Sequence, residues 1–173
     1  MRSEWAKRDT IKNILAALTP ENRLACETSL VTGLRINDVL SIPTEKWRKQ
    51  RFTVREQKTG KRKFVRLPAD LMRRGLSISG ASYVFEHRLD GRKHRTRQAV
   101  FKDIKRACKA FRLSENVTPH SMRKVYAVDY YSRTGSIKKV QHLLNHSDEA
   151  VTMIYAMADC IDKRGNFTKR RKI

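Results

Sequence analysis

The stretch RFTVREQKTGKRKFVRLP, residues 51–68, decides the fold class. Its arms, RFTVREQ and RKFVRLP, alternate polar and apolar residues and are rich in Val and Phe. KTGK between them supplies the turn. A period of two on both sides of a glycine turn predicts an antiparallel hairpin. SYVFE at 82–86 predicts a third short strand.

Outward from this hairpin the period changes to that of helices. Ile11, Ile14, Leu15 and Leu18 form one stripe, and Thr19-Pro20 ends that helix and starts the next. Leu24, Ala25, Thr28 and Val31 carry the second stripe, which ends near Gly33. RINDVLSI predicts a short helix closed by Pro43. RLDGRKHRTR reads as a basic loop. From Arg97 onward Phe101, Ile104, Cys108 and Phe111 recur at helical spacing. Further helices are predicted near 119–133, 136–145 and 148–155, and a basic tail over about 156–173. The expected fold class is mainly α with a small antiparallel β-sheet near 51–86 (α+β), in one domain spanning 1–173.

Thirty-nine Lys and Arg against 17 Asp and Glu leave a formal charge of +22 in 173 residues. Such an excess repels itself in the free chain and calls for a polyanion, with nucleic acid foremost. One charge run is usually a solvated face. Three of them, in the hairpin, in 88–112 and in the tail, favour a surface that follows a phosphate backbone. No basic helix with a broad apolar face points to a membrane surface, and no stretch spans a bilayer. Cys26, Cys108 and Cys160 have neither disulfide nor metal-ligand spacing. A reducing, cytoplasmic, DNA-associated setting is expected.

TPHSMRK, residues 118–124, begins like a helix with Thr118 as N-cap and Pro119 at the first position. His120 and Arg123 then share one face of its first turn, where free amides and the helix dipole favour an anion. Other constellations fail. His142 and His146 lie four apart, but Leu143 stands where a metalloprotease needs Glu. His87 and His94 have no companions at ligand spacing, and TGK at 59–61 lacks a P-loop's glycine-rich lead. Neither a metal nor a cofactor is expected.

TGLRINDVL, QKTGKRKFVRLP, TPHSMRK and HLLNHSDEAVTMIYA follow one another along nearly the whole chain. In order and rough spacing they resemble the tyrosine recombinases, the phage-integrase family, in their C-terminal catalytic domain. The resemblance implies catalytic roles for Arg35, Lys58, His120, Arg123, His146 and Tyr155. Asp38 takes the place of the family's acidic residue near the first arginine and is expected to orient Arg35. Lys61 and Lys63 lie close enough to Lys58 to compete for the hairpin role. Lys61, Arg62, Lys63, Arg92, Lys93, Arg95 and Arg97 are candidate DNA contacts. One departure is Asn145, where the family commonly has Gly; Asn tolerates positive φ. A second is at the N-terminus, where nothing before Arg2 is expected to supply the family's core-binding domain, as in either an excised fragment or a natural short form.

The implied chemistry is metal-free and ATP-free. Tyr155 attacks a DNA phosphodiester, forms a 3′-phosphotyrosyl link and frees a 5′-hydroxyl, and a second strand reverses the step. Arg35 and Arg123 hold phosphate oxygens, His120 moves a proton or holds an oxygen, and Lys58 protonates the leaving oxygen. The implied partners are a double-stranded attachment site, a homotetramer joined through the tail, and accessory DNA-bending proteins. The rival readings are a topoisomerase or resolvase using the same chemistry, and a basic DNA-binding module without activity. Duplex binding is expected to fall with salt, with log K against log[salt] sloping by about −0.9 per phosphate neutralised. Binding isotherms over a salt series check this, and a flat response contradicts the basic-surface reading.

Overall fold

The computed structural model describes residues 4–144. The chain divides into two compact units, residues 1–126 and 127–173.

In the first unit, α1 (Arg8–Ala17) buries Ile11, Ile14 and Leu15. Leu18 and Thr19 are extended, and α2 (Pro20–Thr32) opens with Pro20 at its first position. Its N-terminus is capped from far along the chain. Asp103 Oδ2 accepts hydrogen bonds from Thr19 N at 2.9 Å, Thr19 Oγ1 at 3.1 Å and Asn22 Nδ2 at 2.8 Å. Burial pushes the Asp103 carboxyl up, but these bonds and Arg106 outweigh it, so its pKa is lowered. The charged form therefore sits at the positive end of the α2 dipole.

Gly33 ends α2 in the left-handed region, at φ 66°, and donates its N–H to Ser29 O at 2.9 Å. A side chain is excluded there twice over. The conformation is strained for any L-residue, and a Cβ would lie 2.3 Å from the Tyr126 ring. The chain then forms α3 (Ile36–Leu40) and α4 (Thr44–Arg48). Trp47 of α4 is fully buried and donates its indole N–H to Met72 O.

The predicted hairpin is present. β1 (Arg51–Arg55) pairs antiparallel with β2 (Arg62–Arg66), Arg51 facing Arg66 and Val54 facing Lys63. Both strands alternate between exposed and buried residues, so the inner row is Phe52, Val54, Lys63 and Val65.

SYVFE does not extend this sheet as a third strand. Helix α5 (Ala69–Ile78) intervenes, and the periodicity reading provides for neither it nor α4. Val84 and Phe85 are consecutive and both buried, so the segment lacks the alternation of a half-exposed strand. Tyr83 makes an isolated bridge to Pro43 instead. The expected basic loop holds a second two-stranded sheet, β3 (Glu86–His87) paired with β4 (Asp90–His94). The expected single three-stranded sheet is thus two separate antiparallel pairs.

Helix α6 (Arg97–Ala110) is capped by Thr96, whose hydroxyl accepts from Ala99 N. It buries Val100, Ile104, Ala107 and Cys108. Cys26 and Cys108 are buried free thiols. α7 (Pro119–Thr134) begins in this unit. In the second unit the described residues comprise the end of α7 and α8 (Ile137–Leu144), where Val140 and Leu144, four apart, are buried. The helix expected near 148–155 and the basic tail lie outside the described residues. Among those described, no helix is long and apolar enough to cross a membrane.

Gly33→Ala is expected to destabilise the fold by about 2–4 kcal/mol, combining left-handed strain with overpacking against Tyr126. Urea unfolding at fixed pH measures it. An effect below about 0.5 kcal/mol contradicts the close packing described here.

Candidate active site

The N-terminus of α7 is built as the sequence suggests, with an added partner. Thr118 Oγ1 accepts from His120 N at 3.2 Å, while Thr118 N donates to Ser121 Oγ at 3.1 Å. This reciprocal arrangement is a capping box with Ser in the place of Glu. It sets the helix register that puts His120, half-buried, one turn before Arg123.

Arg123 is fully buried. Its guanidinium donates to Gly33 O at 2.8 Å, across 90 residues of chain. The same nitrogen lies 3.6 Å from Glu56 Oε1. Arg35, in the linker that caps α3, donates to Glu56 Oε2 at 3.0 Å. Two guanidinium groups from distant parts of the chain thus meet one carboxylate. Glu56 is itself 0% exposed and also accepts from Thr59 Oγ1 at 2.8 Å. Burial pushes its carboxyl up, but Thr59 and the two arginines outweigh burial and lower its pKa. Glu56 is ionised and fixed, and it holds the arginine pair together.

Asp38 was expected to orient Arg35. Its Oδ1 instead accepts the Gln57 N–H at 2.9 Å, while Oδ2 has no hydrogen-bond partner. Asp38 therefore ties the hairpin turn to α3, and its action on Arg35 is through charge. Burial raises its pKa against the pull of Gln57. The carboxylate hydrogen-bonded to Arg35 is Glu56, which the sequence reading passed over.

The three hairpin lysines separate. Lys58 is exposed in the turn, and Lys61 is exposed beside it. Lys63 points inward and is 9% exposed, unlike the two lysines of the turn. Strand parity was the available signal, because Val65 and Leu67 fix the buried row. Burial first, then Arg123, pulls the Lys63 ammonium pKa down to about 8.

Arg62 and Arg97 are exposed. Arg92 and Lys93 are exposed but share Asp90 as an ionic partner. Arg95 is half-buried and donates to Asn22 Oδ1 at 2.7 Å. The outer face of the hairpin adds Arg51, Arg55 and Arg66, which the reading did not single out. Arg51 stands opposite Arg66, and Arg55 opposite Arg62. Like charges directly across a strand pair are destabilising without an anion. His146 and Tyr155 lie outside the described residues. Among the described residues no cluster of three or more His, Cys, Asp or Glu could hold a metal ion.

A model of the phage integrase family matches residues 4–160. The chain belongs to that family. It is 26% identical over 162 residues to a tyrosine recombinase of Thermosipho africanus (strain TCF52B), covering 88% of this chain and 56% of that one. It is also similar to the probable integrase/recombinase YoeC of Bacillus subtilis (strain 168), 27% identical over 133 residues, 74% of this chain and 72% of the other. The chain thus spans little more than half of the Thermosipho relative. Among solved structures, a lambda integrase dimer bound to a COC′ core site matches with a TM-score of 0.72 at 25% identity, covering 100% of this chain and 64% of that one. The lambda integrase catalytic core matches at 0.67 and 25%, covering 83% and 91%. The mainly helical fold with small antiparallel sheets is the fold of this family's catalytic domain.

Glu56→Ala leaves the fully buried Arg123 and the partly buried Arg35 without the carboxylate they share, and is expected to cost about 3–5 kcal/mol in denaturant unfolding. The contribution of Glu56 is complete above the ordinary glutamate value of about 4.3. It is lost as pH falls through its lower folded value. Glu56→Gln should remove that part of the acid limb of stability. An unchanged acid limb would mean that the carboxylate is not held charged by the arginines.

Proposed function

We propose that this domain breaks and rejoins DNA strands as a site-specific tyrosine recombinase. The observation that carries the reading is the convergence of Arg35 and Arg123 on Glu56, with His120 one turn earlier on the same helix as Arg123. The paired forks suit a phosphodiester, whose non-bridging oxygens gain charge as the nucleophile adds. The family match extends to residue 160 and so includes Tyr155. Tyr155 attacks phosphorus, its phenolic proton passing to His120 or water. The bond to the 5′-oxygen breaks and a 3′-phosphotyrosyl link remains. Lys58, exposed at the turn, delivers the proton that the departing oxygen requires. His146 adds a hydrogen bond to the phosphate. Attack by another 5′-hydroxyl reverses these steps, which conserve the bond energy without ATP.

The substrate is duplex DNA, gripped in part by the arginine rows of the hairpin. Solved relatives include a lambda integrase tetramer bound to a Holliday junction. Four copies of this domain would join two duplexes, with residues after Tyr155 docking on a neighbour.

The test uses a library of nicked duplexes with a randomised centre, and recovers covalent adducts from denaturing gels for sequencing. The intact chain is expected to form adduct in EDTA. Tyr155→Phe is expected to form none while retaining duplex affinity. Adduct from the Phe variant would move the nucleophile elsewhere. Absence of adduct from the intact chain would favour a binding module, and adduct without strand exchange between sites would favour a topoisomerase.

A further inference from the structure

The inner row of the hairpin contains one residue foreign to it. Phe52, Val54 and Val65 pack into the core, and Lys63 stands among them directly across from Val54. Its Nζ has no hydrogen-bond partner. It lies 5.5 Å from the centroid of the Tyr126 ring, the ring packed against Gly33. The charged groups that act on it are Arg123 on α7, Arg35 before α3, Asp38 within α3 and Glu56 just after β1.

Each carboxylate there is engaged through one oxygen, and neither Glu56 Oε1 nor Asp38 Oδ2 is hydrogen-bonded to Lys63. Glu56 Oε2 receives Arg35 and Thr59, and Asp38 Oδ1 receives the Gln57 amide. Lys63 is thus a third cation beside two guanidinium groups, without an acceptor of its own. An apolar side chain would suit that row better, because a buried polar group without a partner costs stability. A tetrahedral anion held by the arginine pair has further oxygens to offer a third cation, and the charges of Arg123 and Arg35 both act on Lys63.

We propose that Lys63 is a ligand of the scissile phosphodiester, its ammonium holding a non-bridging oxygen beside Arg35 and Arg123. The assignment rests on the strand-cleaving reading and adds to it a catalytic residue distinct from the exposed Lys58. Lys63 forms no covalent bond and transfers no proton; it stabilises charge that grows as the nucleophile adds.

The amine's pKa near 8 supplies a signature. In the free protein Lys63 is charged below that value and loses its charge above it. An arriving anion favours the charged form and draws a proton in. Binding strength contributed by Lys63 is therefore present below about pH 8 and weakens as pH rises through it. Lys63→Arg stays charged and lacks this step. Lys63→Met removes a buried, unpartnered cation from an apolar row. It should melt higher than the wild type below pH 8, with the gap closing toward pH 10.

Two measurements test the assignment. The first compares sulfate with chloride at equal ionic strength in thermal unfolding of wild type, Lys63→Met and Lys63→Arg. Sulfate should stabilise wild type and Lys63→Arg more than Lys63→Met, with the wild-type advantage shrinking above pH 8. Equal responses of wild type and Lys63→Met overturn the anion site, even if the wild type cleaves DNA. The second is single-turnover cleavage of the duplex recovered from the nicked library. Lys63→Met should be slower by ~10²–10³-fold, and sulfur in place of the bridging 5′-oxygen should not restore it. A rate within about 3-fold of wild type overturns the proposal. Rescue by sulfur does so too, because it would make Lys63 the proton donor. A sulfate effect in a wild-type chain that forms no adduct would retain Lys63 as an anion ligand and remove the strand-cleaving reading.

Discussion

The structure of the candidate site depends on one buried carboxylate. Arg35 and Arg123 repel each other, and neither belongs in an interior without a counterion. Glu56 provides one anion for both, at 3.0 and 3.6 Å. Its second role is mechanical, because Thr59 Oγ1 binds the same oxygen that Arg35 binds. Arg35 and the lysine-bearing turn therefore share one oxygen as an anchor, while Arg123 lies against the other. Asp38 repeats the device on the other side of the turn through the Gln57 amide. A phosphate approaching this place meets guanidinium groups already aligned, so little orientation remains to be gained on binding.

Much of this was legible where the governing physics is local. Thr118-Pro119 announced the start of α7, and Gly33 the end of α2, because caps and left-handed turns are properties of a few adjacent residues. The hairpin followed from strand periodicity. SYVFE misled because β-rich composition does not reveal that Val84 and Phe85 are both buried. Helices α4 and α5 escaped because one is five residues long and the other buries only Leu71 and Gly75. Glu56 was illegible for a different reason. In sequence it is one more polar residue at a strand end, and only tertiary closure brings Arg123 to it. The roles proposed for Lys58, His146 and Tyr155 rest on motif order and not on any local rule.

The glycine before Arg35 joins fold and site. Gly33 permits the left-handed cap, leaves room for the Tyr126 ring and offers its carbonyl to Arg123. One missing side chain thus serves the end of α2, the packing of α7 and the aim of a candidate catalytic group. The motif's glycine and the motif's second arginine are parts of one contact, although they sit in separate sequence blocks.

That contact also sets a clock. A ribosome adding about 5–20 residues per second makes Arg123 roughly 5–18 s after the Gly33 carbonyl that it will bind, given the 90 residues between them. Until α7 emerges, Glu56 has only one of its two arginines and Gly33 has no guanidinium on its carbonyl. The nascent chain therefore has its basic hairpin well before both guanidinium groups meet Glu56. A translation product stalled before α7 would carry the hairpin arginines but lack the guanidinium that spans Gly33 and Glu56.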